Sequence, residues 1–259
     1  MNLGLEGKLA LVTAATGGLG FATAKALTEE GARVVICGRD EERVQAAVAK
    51  LGSKDASGFV ADVSKLDDLE RLFADVKRNL GGLDILVSNA GGPPSGGFES
   101  LDESKWEQAY ILTLQSVVRS VRLALPLLRE RGGGRILTIV SSSVKRPLPN
   151  LLLSNVFRPA VQGLCKSLSV ELAGENIGVN CLAPGRIETE RVDELDRALA
   201  DRQGKTFEEV RRASLGSIPM GRLGEPDEFG RVAAFLCSDT ARYMTGSTVF
   251  VDGGSVTCL

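Results

Sequence analysis

The chain has 259 residues, 43% hydrophobic and 25% charged, enough apolar material to bury one sizeable core in a single α/β domain. A formal net charge of −2 leaves no basic footprint for nucleic acid and no polybasic anchor for a membrane, so a small molecule is the expected partner. With no histidine anywhere, Ser-His-Asp triads, Cys-His pairs and HExxH zinc sites are all excluded.

Five cysteines (Cys37, Cys165, Cys181, Cys237, Cys258) lie far apart and never form a CxxC pair. Neither a disulfide framework nor a metal site is expected, and buried thiols in a reducing cytoplasm fit better. The opening MNLGLEGKLALVTAATGG has no basic region followed by a long apolar stretch. No apolar run reaches the roughly 18 residues of a membrane span, so neither export nor insertion is expected.

In chain order, short β-branched runs alternate with amphipathic stretches. LALVT precedes a helix from Gly18, RVVIC a helix from Asp40, SGFVA a helix from Leu66, and LDILVS a long helix from about Asp102. GRILTIV follows, then a helix over roughly 150–174, IGVNCLA, a charged helical insert over 188–212, a helix from Pro226, and STVFVDGG. This alternation predicts a doubly wound α/β fold with a seven-stranded parallel sheet and helices on both faces, all within one domain spanning 1–259. In such sheets ligands bind beyond the carboxyl ends of the strands. The segment 186–216 leaves strand six at that edge and is a candidate substrate lid.

LALVTAATGGLG sets Gly17, Gly18 and Gly20 between a strand and a helix. There glycine lets the backbone approach a pyrophosphate and the helix N-terminus supplies amide donors. A tight turn without any ligand would use the same residues.

Further features fall in order along the chain: ADV at 61–63, SNAG at 88–91, NCLAPG at 180–185 and VDGG at 251–254. With TAATGGLG they resemble, essentially end to end, the short-chain dehydrogenase/reductase family, close to the 3-oxoacyl-carrier-protein reductases. The resemblance implies a Rossmann fold and a dinucleotide site formed by Thr13, Gly18, Leu19, Gly20, Arg39, Asp62, Val63, Asn89, Gly91, Pro184, Gly185 and Ile187. Asp62 and Val63 would flank the adenine, Asn89 would brace the central strands, and 184–189 would cover the nicotinamide. Asn89 also has a plainer reading, as a strand-end amide satisfying backbone groups. Ala14 departs from the family by replacing its first glycine, and would strain the turn if its φ is positive.

At the end of strand two, where NAD-binding relatives place an acid for the ribose 2′-hydroxyl, the chain has Gly38-Arg39. A guanidinium favours the 2′-phosphate, so NADP(H) is the expected cofactor. The alternative is a solvated arginine opening the next helix.

The family uses a serine, a tyrosine, a lysine and an asparagine for catalysis. GRILTIVSSSV puts Ser141 at the serine position, where it could equally cap backbone groups. Thirteen residues on, SNVFR places Ser154 at the tyrosine position and Arg158 at the lysine position, and Thr113 falls at the asparagine position. The tyrosines, Tyr110 and Tyr243, read as packing residues. A serine hydroxyl is a far weaker acid than a phenol, and a guanidinium is no acid near neutral pH but can bind a ribose or a developing oxyanion. The candidate catalytic set is Ser141, Ser154 and Arg158, with Arg158 beside Ser154 on one helix face. Lys145 is a possible replacement acid or substrate anchor, or a solvated loop lysine.

Three functions compete: an NADP(H)-dependent oxidoreductase on a carbonyl/alcohol pair, a non-catalytic dinucleotide-binding sensor or assembly protein, and a halohydrin dehalogenase-like activity. The last family retains tyrosine and loses the glycine-rich loop, the opposite of this chain. The resemblance also implies a homotetramer or homodimer pairing through the long helices over 102–131 and 150–174.

Overall fold

The computed structural model describes residues 2–258. Its strands are β1 (Leu9–Val12), β2 (Arg33–Gly38), β3 (Ala56–Val60), β4 (Ile85–Ser88), β5 (Gly134–Ile139), β6 (Ile177–Pro184) and β7 (Thr248–Val251). They form one parallel sheet in the order β3-β2-β1-β4-β5-β6-β7. The central strands are predominantly apolar and almost wholly buried, because helices cover both faces of the sheet.

On one face lie α1 (Gly18–Glu29), α2 (Glu41–Leu51) and α9 (Pro226–Cys237), whose Leu27, Ala47 and Phe229 meet Ile36 and Leu182. On the other lie α3 (Leu66–Leu80), α4 (Glu103–Tyr110), α5 (Ser116–Glu130) and α6 (Leu152–Glu171). There Leu69, Val76, Val121, Leu128 and Val161 pack on Leu86 and Val179. The order reverses between β1 and β4, and the crevice at their carboxyl ends is the point such sheets use for ligands.

The structure differs from the sequence expectations in five places. The single helix expected from Asp102 is two, joined by a π-turn at Ile111–Gln115 that carries the buried Thr113. The run Glu103–Glu130 does have the length and hydropathy of a membrane span, contrary to the expectation, but its apolar face packs against the sheet as a core helix. Helix α6 begins only at Leu152, since Asn150 adopts a left-handed φ of +58°. The insert is two helices, α7 (Glu190–Gln203) and α8 (Phe207–Gly216), separated where Gly204 turns left-handed and Thr206 and Glu209 cap α8 reciprocally. Of the cysteines, Cys258 is exposed rather than buried; the other four are buried and free.

Ala14, directly after β1, has a φ of +47°. A left-handed L-residue costs about 1–2 kcal/mol, partly offset by the chain entropy that glycine would lose. Ala14→Gly is therefore expected to stabilise the protein by about 0.5–1 kcal/mol in urea unfolding. A loss of stability would show that the turn is unstrained.

Candidate functional site

The crevice is built on a clamp between the ends of β1 and β4. The Thr13 hydroxyl donates to the Asn89 carbonyl (2.6 Å) and accepts from the Asn89 amide N–H (2.8 Å). The Asn89 side-chain amide donates to the carbonyls of Thr13 (3.2 Å) and Ala14 (3.0 Å). Both readings of Asn89 thus describe one arrangement, in which satisfying backbone groups is what braces the strands. Gly20 packs on this clamp: a Cβ there would stand 2.6 Å from Asn89 Nδ2 and 2.9 Å from the Ala14 oxygen, so only glycine lets α1 start here. Gly18 takes a left-handed φ of +55° at the exposed tip of the turn, with Leu19 half-buried behind it.

Arg39, at the end of β2, is exposed and makes no ion pair or hydrogen bond among the described residues. Its neighbour Asp40 caps α2, its carboxylate accepting from the Arg43 amide at 2.8 Å. Asp62 accepts from the Ser64 N–H (2.9 Å) and hydroxyl (2.7 Å), while Val63 is buried in the core. Behind the turn, the Cys37 thiol accepts from the Ala14 N–H (3.4 Å), and burial pushes its pKa up to about 12, which keeps it protonated and inert.

Gly91 lies in the exposed loop after β4, Pro184 ends β6 and Gly185 follows it. Ile187 is buried and bridges to Gly224. The start of α7 lies over the glycine turn: a Cβ on Gly18 would meet the Thr189 methyl at 3.8 Å. The fold therefore gathers the sequence-predicted dinucleotide residues around the carboxyl edge of the sheet.

At the catalytic positions the outcome is mixed. Ser141, half-buried, caps the short turn after β5 by accepting from the Ser143 N–H at 3.1 Å. Ser154 is buried, and its hydroxyl lies 3.4 Å from that of Ser143 rather than against Arg158. Arg158, only 7% exposed, donates from Nη1 to the Ile139 carbonyl at 2.8 Å, just past Ser88–Thr138, the last register pair between β4 and β5. So Ser154 and Arg158 share a helix face without touching as a pair. Among the described residues no carboxylate pairs with this guanidinium, and burial drives its pKa down to about 10. An uncompensated buried cation is costly to a fold and is a mark of a functional site.

Tyr110 is partly exposed and donates to Gln115 Oε1 (2.8 Å), with its ring tilted against Phe157. Tyr243 is fully exposed, so the packing role expected of it is incorrect. Lys145 is exposed and makes no ion pair among the described residues, as a solvated loop lysine would.

Sequence reasoning passed over Asn155. Its side-chain amide accepts from the Leu148 N–H and donates to the Leu148 carbonyl, both at 2.9 Å, tying the loop after the serines to α6. It also passed over the anchoring of the insert. Asp196, almost wholly buried, is paired with Arg186 and Arg211, and Arg211 also reaches Asp193. Arg191 donates to the Pro93 carbonyl at 3.0 Å across the crevice. The insert is thus fastened both within itself and to the loop after β4.

A doubly wound sheet with a glycine-rich turn at its reversal point and a serine-tipped β5 beside it defines a dinucleotide-dependent oxidoreductase scaffold. A family model described as Enoyl-(Acyl carrier protein) reductase matches residues 13–256. The chain is 40% identical to Dehydrogenase/reductase SDR family member 4 of Sus scrofa, over 98% of this chain and 89% of that protein. It is 36% identical to Oxidoreductase asL5 of Sarocladium schorii over 96% of both. Among solved structures it superposes on L-sorbose reductase from Gluconobacter frateurii, complexed with NADPH and L-sorbose, with a TM-score of 0.94, 31% identity and full coverage of both chains. It also superposes on an actinorhodin polyketide ketoreductase variant with NADPH, with a TM-score of 0.94 and 32% identity over 97% of this chain and 98% of that one. The chain belongs to the short-chain dehydrogenase/reductase family.

If Arg158 is retained for binding rather than for folding, Arg158→Met removes an uncompensated cation at little cost. The variant is expected to unfold within about 1 kcal/mol of wild type, or to be more stable, in urea titration. A loss above about 3 kcal/mol would mark Arg158 as a structural residue.

Proposed function

We propose that this protein is an NADP(H)-dependent oxidoreductase acting on a carbonyl/alcohol pair, at a site where Ser154 and Arg158 replace the tyrosine and lysine of the family. The observation that carries the reading is the buried Arg158, a cation with no acid partner, held at the carboxyl end of β5 two residues before Ser141. The carbonyl that Arg158 binds belongs to Ile139, two residues before Ser141, which supports a reading in which guanidinium and serine hydroxyl address one small substrate.

The dinucleotide half fits the cofactor. The Gly18–Gly20 turn leaves the backbone bare at the start of α1, and Gly20 is forced by the clamp. Arg39 offers an unpaired guanidinium where a 2′-phosphate would lie. The relatives solved with NADPH support this reading. When bound, the nicotinamide supplies or accepts the hydride. Thr13, Asn89 and the segment from Pro184 to Ile187 would hold it in the crevice.

In the proposed chemistry Ser141 and Arg158 bind the substrate oxygen and stabilise the alkoxide as its charge develops, and water supplies the proton. Without a phenol the positioned acid is missing, which lowers the rate by roughly 10²–10⁴-fold relative to an otherwise equal site. The cationic floor suits a small, anionic substrate. A symmetric homodimer or homotetramer pairing through α5 and α6 is part of the proposal, supported by the exposed Val156 and Val170 on α6. The buried free thiols support a reducing compartment such as the cytoplasm.

The test is titration with NADPH and NADH, followed by a panel of 3-oxoacyl thioesters, diketones and sugars. NADPH is expected to bind more tightly, and turnover to survive Ser154→Ala within about three-fold while Arg158→Gln loses about 10²–10³-fold. NADPH binding without turnover on any substrate would favour the non-catalytic reading, and failure to bind either nucleotide would end both.

The pH profile provides a separate test. The guanidinium is active in its charged form, so kcat/KM should hold up to and fall above about pH 10. In Arg158→Lys the buried ammonium loses its proton more readily, and this limb should move to lower pH. A basic limb that Arg158→Lys does not shift would remove Arg158 from the chemistry.

A further inference from the structure

Arg43, on the first turn of α2, stands where the nucleotide site and the lid meet. Its backbone N–H is held by the Asp40 carboxylate, and its side chain runs back over the glycine turn. Nη2 lies 3.8 Å from where a Cβ on Gly17 would be and 3.5 Å from Oε2 of Glu190, the first residue of α7. The Arg43 and Glu190 side chains are 60% and 88% exposed, so the pair is loose and screened by solvent. Four residues earlier, Arg39 projects unpaired from the end of β2.

We infer that Arg43 is a second determinant of nucleotide choice, which exchanges the lid carboxylate of Glu190 for the 2′-phosphate of the dinucleotide and so couples nucleotide choice to the lid. The inference rests on the NADP(H) reading and extends it. A phosphate carries nearly two charges and three strong acceptor oxygens, enough to engage Arg39 and Arg43 together, whereas Glu190 offers one screened carboxylate.

The acids nearby do not block it. Asp40 is turned onto the Arg43 amide and Glu41 accepts from Gln45 at 3.2 Å, while Glu42 is exposed to solvent. Once Arg43 turns to phosphate, α7 loses its tie to α2 and keeps the one from Arg191 to the loop after β4. A nucleotide with only a 2′-hydroxyl leaves the Arg43–Glu190 pair in place. Linkage is reciprocal, so whatever Glu190 gains from Arg43 it subtracts from phosphate binding.

Calorimetric titration of the full chain with NADPH, NADH, adenosine 2′,5′-bisphosphate and adenosine 5′-phosphate tests this without any turnover. Arg43→Gln is expected to weaken NADPH and the bisphosphate about ten-fold, losing one charge-assisted contact, with NADH and the monophosphate unchanged within two-fold. Glu190→Gln should tighten NADPH by up to about five-fold, and that gain should vanish in the Arg43→Gln/Glu190→Gln double variant. Both side chains are on the surface, so the variants should melt with wild type. An unchanged NADPH-to-NADH ratio in Arg43→Gln, in a protein that prefers NADPH, would overturn the inference alone, as would a Glu190→Gln gain that persists in the double variant. A wild type with no preference for NADPH would overturn the cofactor reading and this inference with it.

Discussion

The carboxyl ends of β1 and β4 are held together by the Thr13 hydroxyl and the Asn89 amide, and the working edge of the molecule is organised around those bonds. The sheet reverses direction of winding there, so two neighbouring strands send their chains to opposite faces and would otherwise splay with unsatisfied backbone groups between them. The Asn89 amide donates to the carbonyls on either side of the Thr13–Ala14 bond, where Ala14 holds a left-handed conformation. That conformation aims the chain into the glycine turn, and Gly20 is small because the clamp occupies the space of its missing side chain. Strain in one residue is accepted in return for a bare backbone surface at a helix start.

A second constraint lies one strand over. Arg158 is buried beside the end of β5 with a single carbonyl to bind and no acid to neutralise it. A lysine in its place would present a compact charge that loses its proton readily when buried, whereas arginine stays charged and offers several donors in one plane. The serines around it are mutually engaged, Ser143 with Ser154 and Ser141 with the turn it caps, so the cation is the dominant electrostatic feature. The insert's ion cluster around Asp196 has its charges compensated, which fits a scaffold, whereas Arg158 has no acid partner among the described residues, which fits a site.

Much of the architecture was legible in the sequence because a parallel sheet covered on both faces leaves runs rich in apolar residues, clearest in β1, β2 and β4 and weakest in β3, whose Ala-Ser-Gly-Phe-Val is only partly buried. The glycine turn after β1 and the polar residues at the strand ends were legible as features of the carboxyl edge, because glycines and strand-end polar groups break the apolar pattern there. The π-turn at 111–115 was not, as no proline or glycine marks it and Thr113 reads as an ordinary helical residue. The division of the insert was available in the Thr206–Glu209 capping pair, but the charged run around it reads as one continuous helix. Asn155 and Arg43 escaped because their partners, Leu148 in a loop and Glu190 far along the chain, are set by tertiary packing. Spacing sets Ser154 and Arg158 on one helix face, as read, but where each side chain goes, one to Ser143 and the other to β5, is decided by tertiary contacts that spacing does not carry.

We propose that hydride chemistry persists here with a buried arginine in place of the phenol and amine. Single-turnover reaction with NADPH deuterated at C4 of the nicotinamide, with mass spectrometry of the product alcohol, tests it most directly. The account predicts deuterium on the carbinol carbon with wild type and almost none with Arg158→Met. Equal transfer by both proteins would contradict it.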